Sequence, residues 1–209
     1  MSPLVRASQL IGMPLITLDT AEVVGEVRDV LTDPQAGTVA AFTVRGRGLL
    51  SPSLIGLLAM ERVHAIGRDT LIIASADAIH DVDARDLQPT DQPEIIGRHV
   101  VTSAGDEVGT ITDLVLETEA PTASIVGCEI ERTDGQRLLT PVVSPAVLIE
   151  DPLVIGEGLA PAAYGLTGLR GLLDAAEPGQ FARVGASGSS LPAVAEHHRR
   201  GRRHIVVAE

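Results

Sequence analysis

The sequence predicts a mainly β protein, with two small antiparallel β-barrels in tandem followed by a partly helical C-terminal extension. The first observation behind this reading is an internal repeat. L-I-G-M-P-L-I-T at 10–17 aligns with I-I-G-R-H-V-V-T at 95–102, placing Gly12 on Gly97 and Thr17 on Thr102. V-G-E-V-R-D-V-L at 24–31 aligns with V-G-T-I-T-D-L-V at 108–115, placing Gly25 on Gly109 and Asp29 on Asp113. A-A-F-T-V at 40–44 then falls on V-G-C-E-I at 126–130, and G-R-D-T-L-I-I at 67–73 on I-E-D-P-L-V-I at 149–155. Similar blocks in the same order, with small length changes between them, mark a duplicated module. The second observation is composition. The chain is 44% hydrophobic yet holds two Phe, one Tyr and no Trp, so its core is aliphatic, rich in the β-branched residues that suit strands. The third is periodicity: Ala40, Phe42 and Val44 alternate with Ala41 and Thr43, as Val126, Cys128 and Ile130 do with Gly127 and Glu129.

Each element follows from local signals. The apolar blocks are short runs bounded by Gly, Asp and Pro clusters, which predicts strands and turns. Gly25 and Gly109 lie inside strand pattern, where glycine marks a bulge or bend of the kind a small barrel needs. Asp29 and Asp113, four residues later, are expected to hydrogen-bond a neighbouring turn backbone. The first copy carries a longer insertion at 45–60 (R-G-R-G-L-L-S-P-S-L-I-G-L-L-A-M). With Ser51 as N-cap, Pro52 in the first turn and Leu54, Ile55, Leu57 and Leu58 as a stripe, it predicts a helix over one barrel end. The second copy has instead a short hairpin turning at Thr133-Asp134-Gly135. Beyond the repeats, Leu166, Leu169, Leu172 and Leu173 stand at helical spacing, but Gly165, Gly168 and Gly171 weaken that helix by roughly 1 kcal/mol each, so it needs a surface to pack on. G-A-S-G-S-S reads as a linker, and a further helix is expected from Leu191. The domain reading is residues 1–80 as first barrel, 81–93 as linker, 94–157 as second barrel and 158–209 as extension with a helix and basic tail. A barrel of this size is marginal alone, so the copies are expected to pack together.

Charge and composition narrow the function. All 16 basic residues are Arg, and both Lys and Asn are absent, which fits a GC-rich bacterial genome. The net charge of −12 is uneven: residues 91–158 carry 3 Arg against 13 acids, whereas 159–209 carry 6 against 4. The middle of the chain should repel phosphate. Arg199, Arg200, Arg202 and Arg203, with Arg45 and Arg47, are the residues suited to an acidic protein partner or, in an alternative reading, to RNA. The single Cys128 excludes an internal disulfide and any CxxC zinc site, and its apolar neighbours point to a buried thiol. No signal peptide or membrane-spanning run is evident, which makes the expected location cytoplasmic.

No catalytic, cofactor-binding or metal-binding residues are expected. R-G-R-G-L-L-S lacks the third glycine and acidic residue of a dinucleotide fingerprint, and there is no lysine for a phosphate loop and no G-x-S-x-G. D-V-D-A-R-D at 81–86 lacks the glycine and terminal Glu of a calcium loop and reads as solvated linker. His64, His80 and His99 stand singly, while His197, His198 and His204 are the best support for a metal-dependent enzyme, the least favoured reading.

Ile11-Gly12 followed by Val24-Gly25-Glu26-Val27-Arg28-Asp29-Val30-Leu31, and Ile96-Gly97 followed by Val108-Gly109-Thr110-Ile111-Thr112-Asp113-Leu114-Val115, resemble the PRC-barrel family. The resemblance covers about 5–80 and 94–157. It implies small, strongly bent antiparallel barrels and a non-enzymatic adaptor or scaffold role that is usually protein–protein. Family members include the cytoplasmic domain of the photosynthetic reaction-centre H subunit and the C-terminal domain of a ribosome maturation factor. This sequence departs from the first in lacking an anchoring run and from the second in duplicating the barrel. The expected partner is therefore a protein, with RNA through the basic tail as the alternative and a homo-oligomer left open.

Overall fold

The computed structural model describes residues 2–46, 54–83, 95–142, 148–149, 151–155 and 165–175. Its strands in chain order are β1 (Leu4–Arg6), β2 (Pro14–Thr17), β3 (Val23–Asp33), β4 (Thr38–Gly46), β5 (Leu54–Ala59), β6 (Val63–Ile66), β7 (Leu71–Ile73), β8 (Ile79–Asp83), β9 (His99–Thr102), β10 (Glu107–Glu119), β11 (Thr122–Glu131), β12 (Arg137–Pro141) and β13 (Leu153–Ile155). A single turn of helix, α1 (Ala7–Leu10), follows β1, and α2 (Leu166–Ala175) follows the second copy. Among the described residues these thirteen strands make one hydrogen-bonded sheet.

The repeat reappears as pairing register. β2 pairs antiparallel with β3 and parallel with β7, and β9 pairs in the same way with β10 and β13. Leu15 faces Leu71 as Val100 faces Leu153, and Val27 faces Val44 as Ile111 faces Ile130. Even the irregularities recur: β3 shifts register between Val27 and Asp29 and again between Leu31 and Thr32, and β10 does so between Ile111 and Asp113 and between Val115 and Leu116. The bulges beside the two strand glycines are also shared, at Leu15/Ile16 on β2 and Glu107/Gly109 on β10. The glycines themselves permit close strand approach. A Cβ on Gly25 would lie 2.8 Å from the Arg45 carbonyl oxygen, and one on Gly109 only 2.2 Å from that of Glu131.

The two copies join at β4 and β11, where Thr38 pairs antiparallel with Ser124 and the Ile125 N–H donates to the Gly37 carbonyl at 2.8 Å. In the repeat alignment Thr38 and Ser124 are equivalent positions, so the junction has the form of a local two-fold axis. One continuous apolar core, aliphatic but for Phe42 among the residues named here, runs across it, with Leu15, Phe42, Leu58 and Leu71 from the first copy and Val100, Ile111, Leu116 and Ile130 from the second.

The structure departs from the sequence reading in three places. Residues 54–59 are strand β5, not a helix; they lie between β4 and β8, and Leu58 is fully buried. The β4–β5 pairing is thus the first copy's counterpart of the β11–β12 pairing. Residues 81–83, placed in the linker by the sequence reading, close β8 against β5. And β1, at the N-terminus of the first copy, pairs with β10 of the second. The hairpin at Thr133-Asp134-Gly135 forms as expected, with Gly135 at φ +80° and its N–H donating to the Arg132 carbonyl at 2.9 Å. The helix expected from Leu191 and the 176–209 tail lie outside the described residues.

Candidate interaction surface

The outward faces of the two copies begin from equivalent strands but are covered differently. On the second copy, Leu4, Val5 and Arg6 pair with Glu117, Leu116 and Val115. Beyond β1 the chain turns into α1, whose Gln9 side chain accepts the Arg6 N–H at 2.9 Å. The buried Asp113 carboxylate accepts the Ser8 N–H at 3.2 Å and the Ser8 hydroxyl, and also the Leu114 N–H at 2.8 Å. The carboxylate thus binds helix α1, from the far end of the chain, and not the neighbouring turn expected for it. Beside it, Glu129 has 5% of its side chain exposed and bridges Arg6 Nε at 2.7 Å and Arg137 Nη1 at 3.2 Å.

The weak helix α2 finds its surface on this same face. Leu169 is fully buried against Val115 and Leu139, with Leu4, Val126, Leu166 and Leu173 around them. Gly127 makes room for it, since a Cβ there would stand 2.8 Å from Leu169 Cδ2. Arg170 ties the assembly together, donating to Glu117 at 2.8 Å and to the Ser2 carbonyl at 2.5 Å.

On the first copy the equivalents of Val115, Gly127 and Leu139 are Leu31, Ala41 and Leu57, and the equivalent of Asp113 is Asp29. Leu31 and Leu57 are only half-buried. The Asp29 side chain is 59% exposed, and its partners are its neighbours: Arg28 Nε at 3.6 Å and Thr43 Oγ1 at 3.3 Å. Two exposed isoleucines, Ile11 and Ile96, occupy equivalent places just before Gly12 and Gly97.

The sequence-derived contact residues are not gathered by the described structure. Arg45 is exposed on β4 and lies 3.4 Å from Glu26 on β3, so part of its charge is neutralised locally. Arg47, Arg199, Arg200, Arg202 and Arg203 lie outside the described residues, as do His197, His198 and His204. His64, His80 and His99 are exposed, and His99 Nδ1 faces Glu107 at 3.5 Å. No group of three or more metal-ligating side chains occurs among the described residues. Burial pushes the Cys128 thiol up to about 12, which makes it a core residue rather than a nucleophile. An open cleft of about 610 Å³ lies between the copies, where Glu61, Arg62, His64, Ser75 and Asp77 face Ala120 and Pro121 of the β10–β11 hairpin. No helix among the described residues is long and apolar enough to cross a membrane.

The family model described as PRC-barrel domain matches the chain twice, over residues 3–79 and 91–153. The chain belongs to the PRC-barrel family. No curated protein matches it. The two matches cover the two copies defined by strand register, so the protein is a tandem PRC-barrel protein, mostly β, as its repeat predicted. Sequence reasoning located the duplicated barrels but missed the seat of β1 on β10. Its signal was faint: Leu4, Val5 and Arg6 carry no turn residue or periodicity that names a distant partner.

Proposed function

We propose that this tandem PRC-barrel protein is a cytoplasmic, non-enzymatic adaptor that binds a protein partner through the outer surfaces of its barrels. The observation that carries this reading is the unequal covering of two equivalent faces. The second barrel's face is occupied by β1 and α2 of the same chain, while the first barrel's counterpart keeps Leu31 and Leu57 half-buried and Asp29 exposed. A surface of this kind, apolar in its middle and charged at its rim, suits protein recognition. Arg45 and Arg47, with Arg199, Arg200, Arg202 and Arg203, would contribute charge contacts to an acidic partner, and a second copy of the chain is one such partner.

Affinity capture from the source cells tests this, using the full chain beside a version lacking residues 196–209 and a version carrying Arg45→Glu. A stoichiometric protein retained by the full chain and weakened in either variant is expected. Sedimentation equilibrium showing a strict monomer, together with no stoichiometric protein in the capture, overturns the proposal. Retention of RNA alone, falling steeply as salt is raised, replaces it with the RNA reading.

A further inference from the structure

The geometry points to a strand-accepting seat on the first barrel: the open edge of β3 at Arg28–Asp33, with Asp29 as its anchor, takes an extended partner segment that turns into helix at a Ser or Thr. This rests on the adaptor reading and says where and how the partner is held.

The seat is inferred from its occupied counterpart in the same chain. On β10, residues 115–117 pair with Leu4–Arg6, and two residues after the paired tripeptide Ser8 presents its N–H and hydroxyl to Asp113. Carried onto the first copy through the shared register, the paired positions are Leu31, Thr32 and Asp33, and the anchoring carboxylate is Asp29. Among the described residues, β2 pairs with β3 only over Val23–Glu26, and no strand pairs with that side of β3 beyond it. The edge therefore offers backbone donors and acceptors for strand addition. In chain order, the segment that corresponds to β1–α1 in the second repeat places Pro93 where Ser8 stands and Pro89 where Leu4 stands. A proline has no N–H and no hydroxyl to donate to a carboxylate, so the repeat does not carry the Ser8 chemistry in its second copy.

The chemistry also says how the guest differs from β1. Arg6 is held by Glu129, but the first copy has Thr43 at that place, and Leu31 stands where Val115 does. A guest for β3 should carry an apolar residue where β1 carries Arg6. Ala41 replaces Gly127, so no side chain can sink there as deeply as Leu169 does on the second copy.

The test uses the full chain, 15N-labelled, titrated with synthetic peptides of residues 2–12. The unaltered peptide, one with Arg6→Leu and one with both Arg6→Leu and Ser8→Ala are compared. Expected are saturable shifts of the Arg28–Asp33 amides with the Arg6→Leu peptide, tighter than with the unaltered one. Affinity should fall about tenfold or more on Ser8→Ala, or on Asp29→Ala in the protein, as for loss of a charge-assisted hydrogen bond. Asp29 is exposed, so Asp29→Ala should leave the melting temperature unchanged. Absence of saturable shifts, or shifts confined to Val115–Glu117 where the peptide exchanges with β1, overturns the inference. A cellular partner that binds wild type and Asp29→Ala equally removes this seat while leaving the adaptor reading in place.

Discussion

Glu129 shows how a residue that reads as an outward strand position becomes a structural hub. Its carboxylate is nearly buried between Arg6 from the N-terminus and Arg137 from β12. Glu129→Ala would strand Arg6 on a half-covered face, and a loss of about 2–3 kcal/mol is expected in urea denaturation, with Glu129→Gln losing less because it keeps an acceptor. The two strand glycines differ in the same measurable way. Gly109→Ala forces a Cβ into the Glu131 carbonyl at 2.2 Å, a tighter clash than the 2.8 Å met by Gly25→Ala, and so the Gly109 variant should melt lower than the Gly25 variant. Cys128 carries a pH prediction. Its thiol is raised from 9.0 to about 12 by burial, so in the unfolded chain it ionises first. The unfolded state then loses protons that the folded state keeps, and the Cys128 contribution to stability declines as pH rises above 9 towards about 12. Cys128→Ala should flatten that decline in alkaline denaturation curves, and the native thiol should resist a disulfide reagent that reacts rapidly once the chain unfolds.

At the scale of elements, the instructive pair is β5 and α2. Both segments hold leucines at helical spacing, yet one is strand and the other helix. A short apolar run such as Leu54–Ala59 is compatible with either period, and only the open hydrogen-bonding edges of β4 and β8 on its two sides decide it. The α2 segment meets a sheet face already paired along its edges, and it lies across β12 and β1. Removing its central contact by Leu169→Ala should cost about 2–3 kcal/mol, at the lower end for a buried leucine because the helix sits at the periphery. Deleting residues 1–10 removes β1 and the Ser8–Asp113 contact together. Faster hydrogen exchange is then expected at Val115–Thr118 on β10.

For the whole molecule, the β4–β11 junction and the shared core predict a single cooperative unfolding transition. Separate chains of residues 1–83 and 95–175 should each melt below the intact protein, the second most of all because it lacks β1 and α1; two calorimetric transitions matching the separated pieces would contradict this. The duplication, the strand blocks with their glycines and aspartates, the aliphatic core and the family are all legible in the chain order, because each is written in local period or in self-similarity. Long-range contacts make β5 a strand, carry β8 into the expected linker, seat β1 on the other barrel, and cover Val115 and Leu139 with Leu169 while, among the described residues, the equivalent Leu31 and Leu57 stay half-buried. Those outcomes depend on which hydrogen-bonding edges and apolar faces are left unpaired once the sheet has curled, and no short window of sequence contains that information.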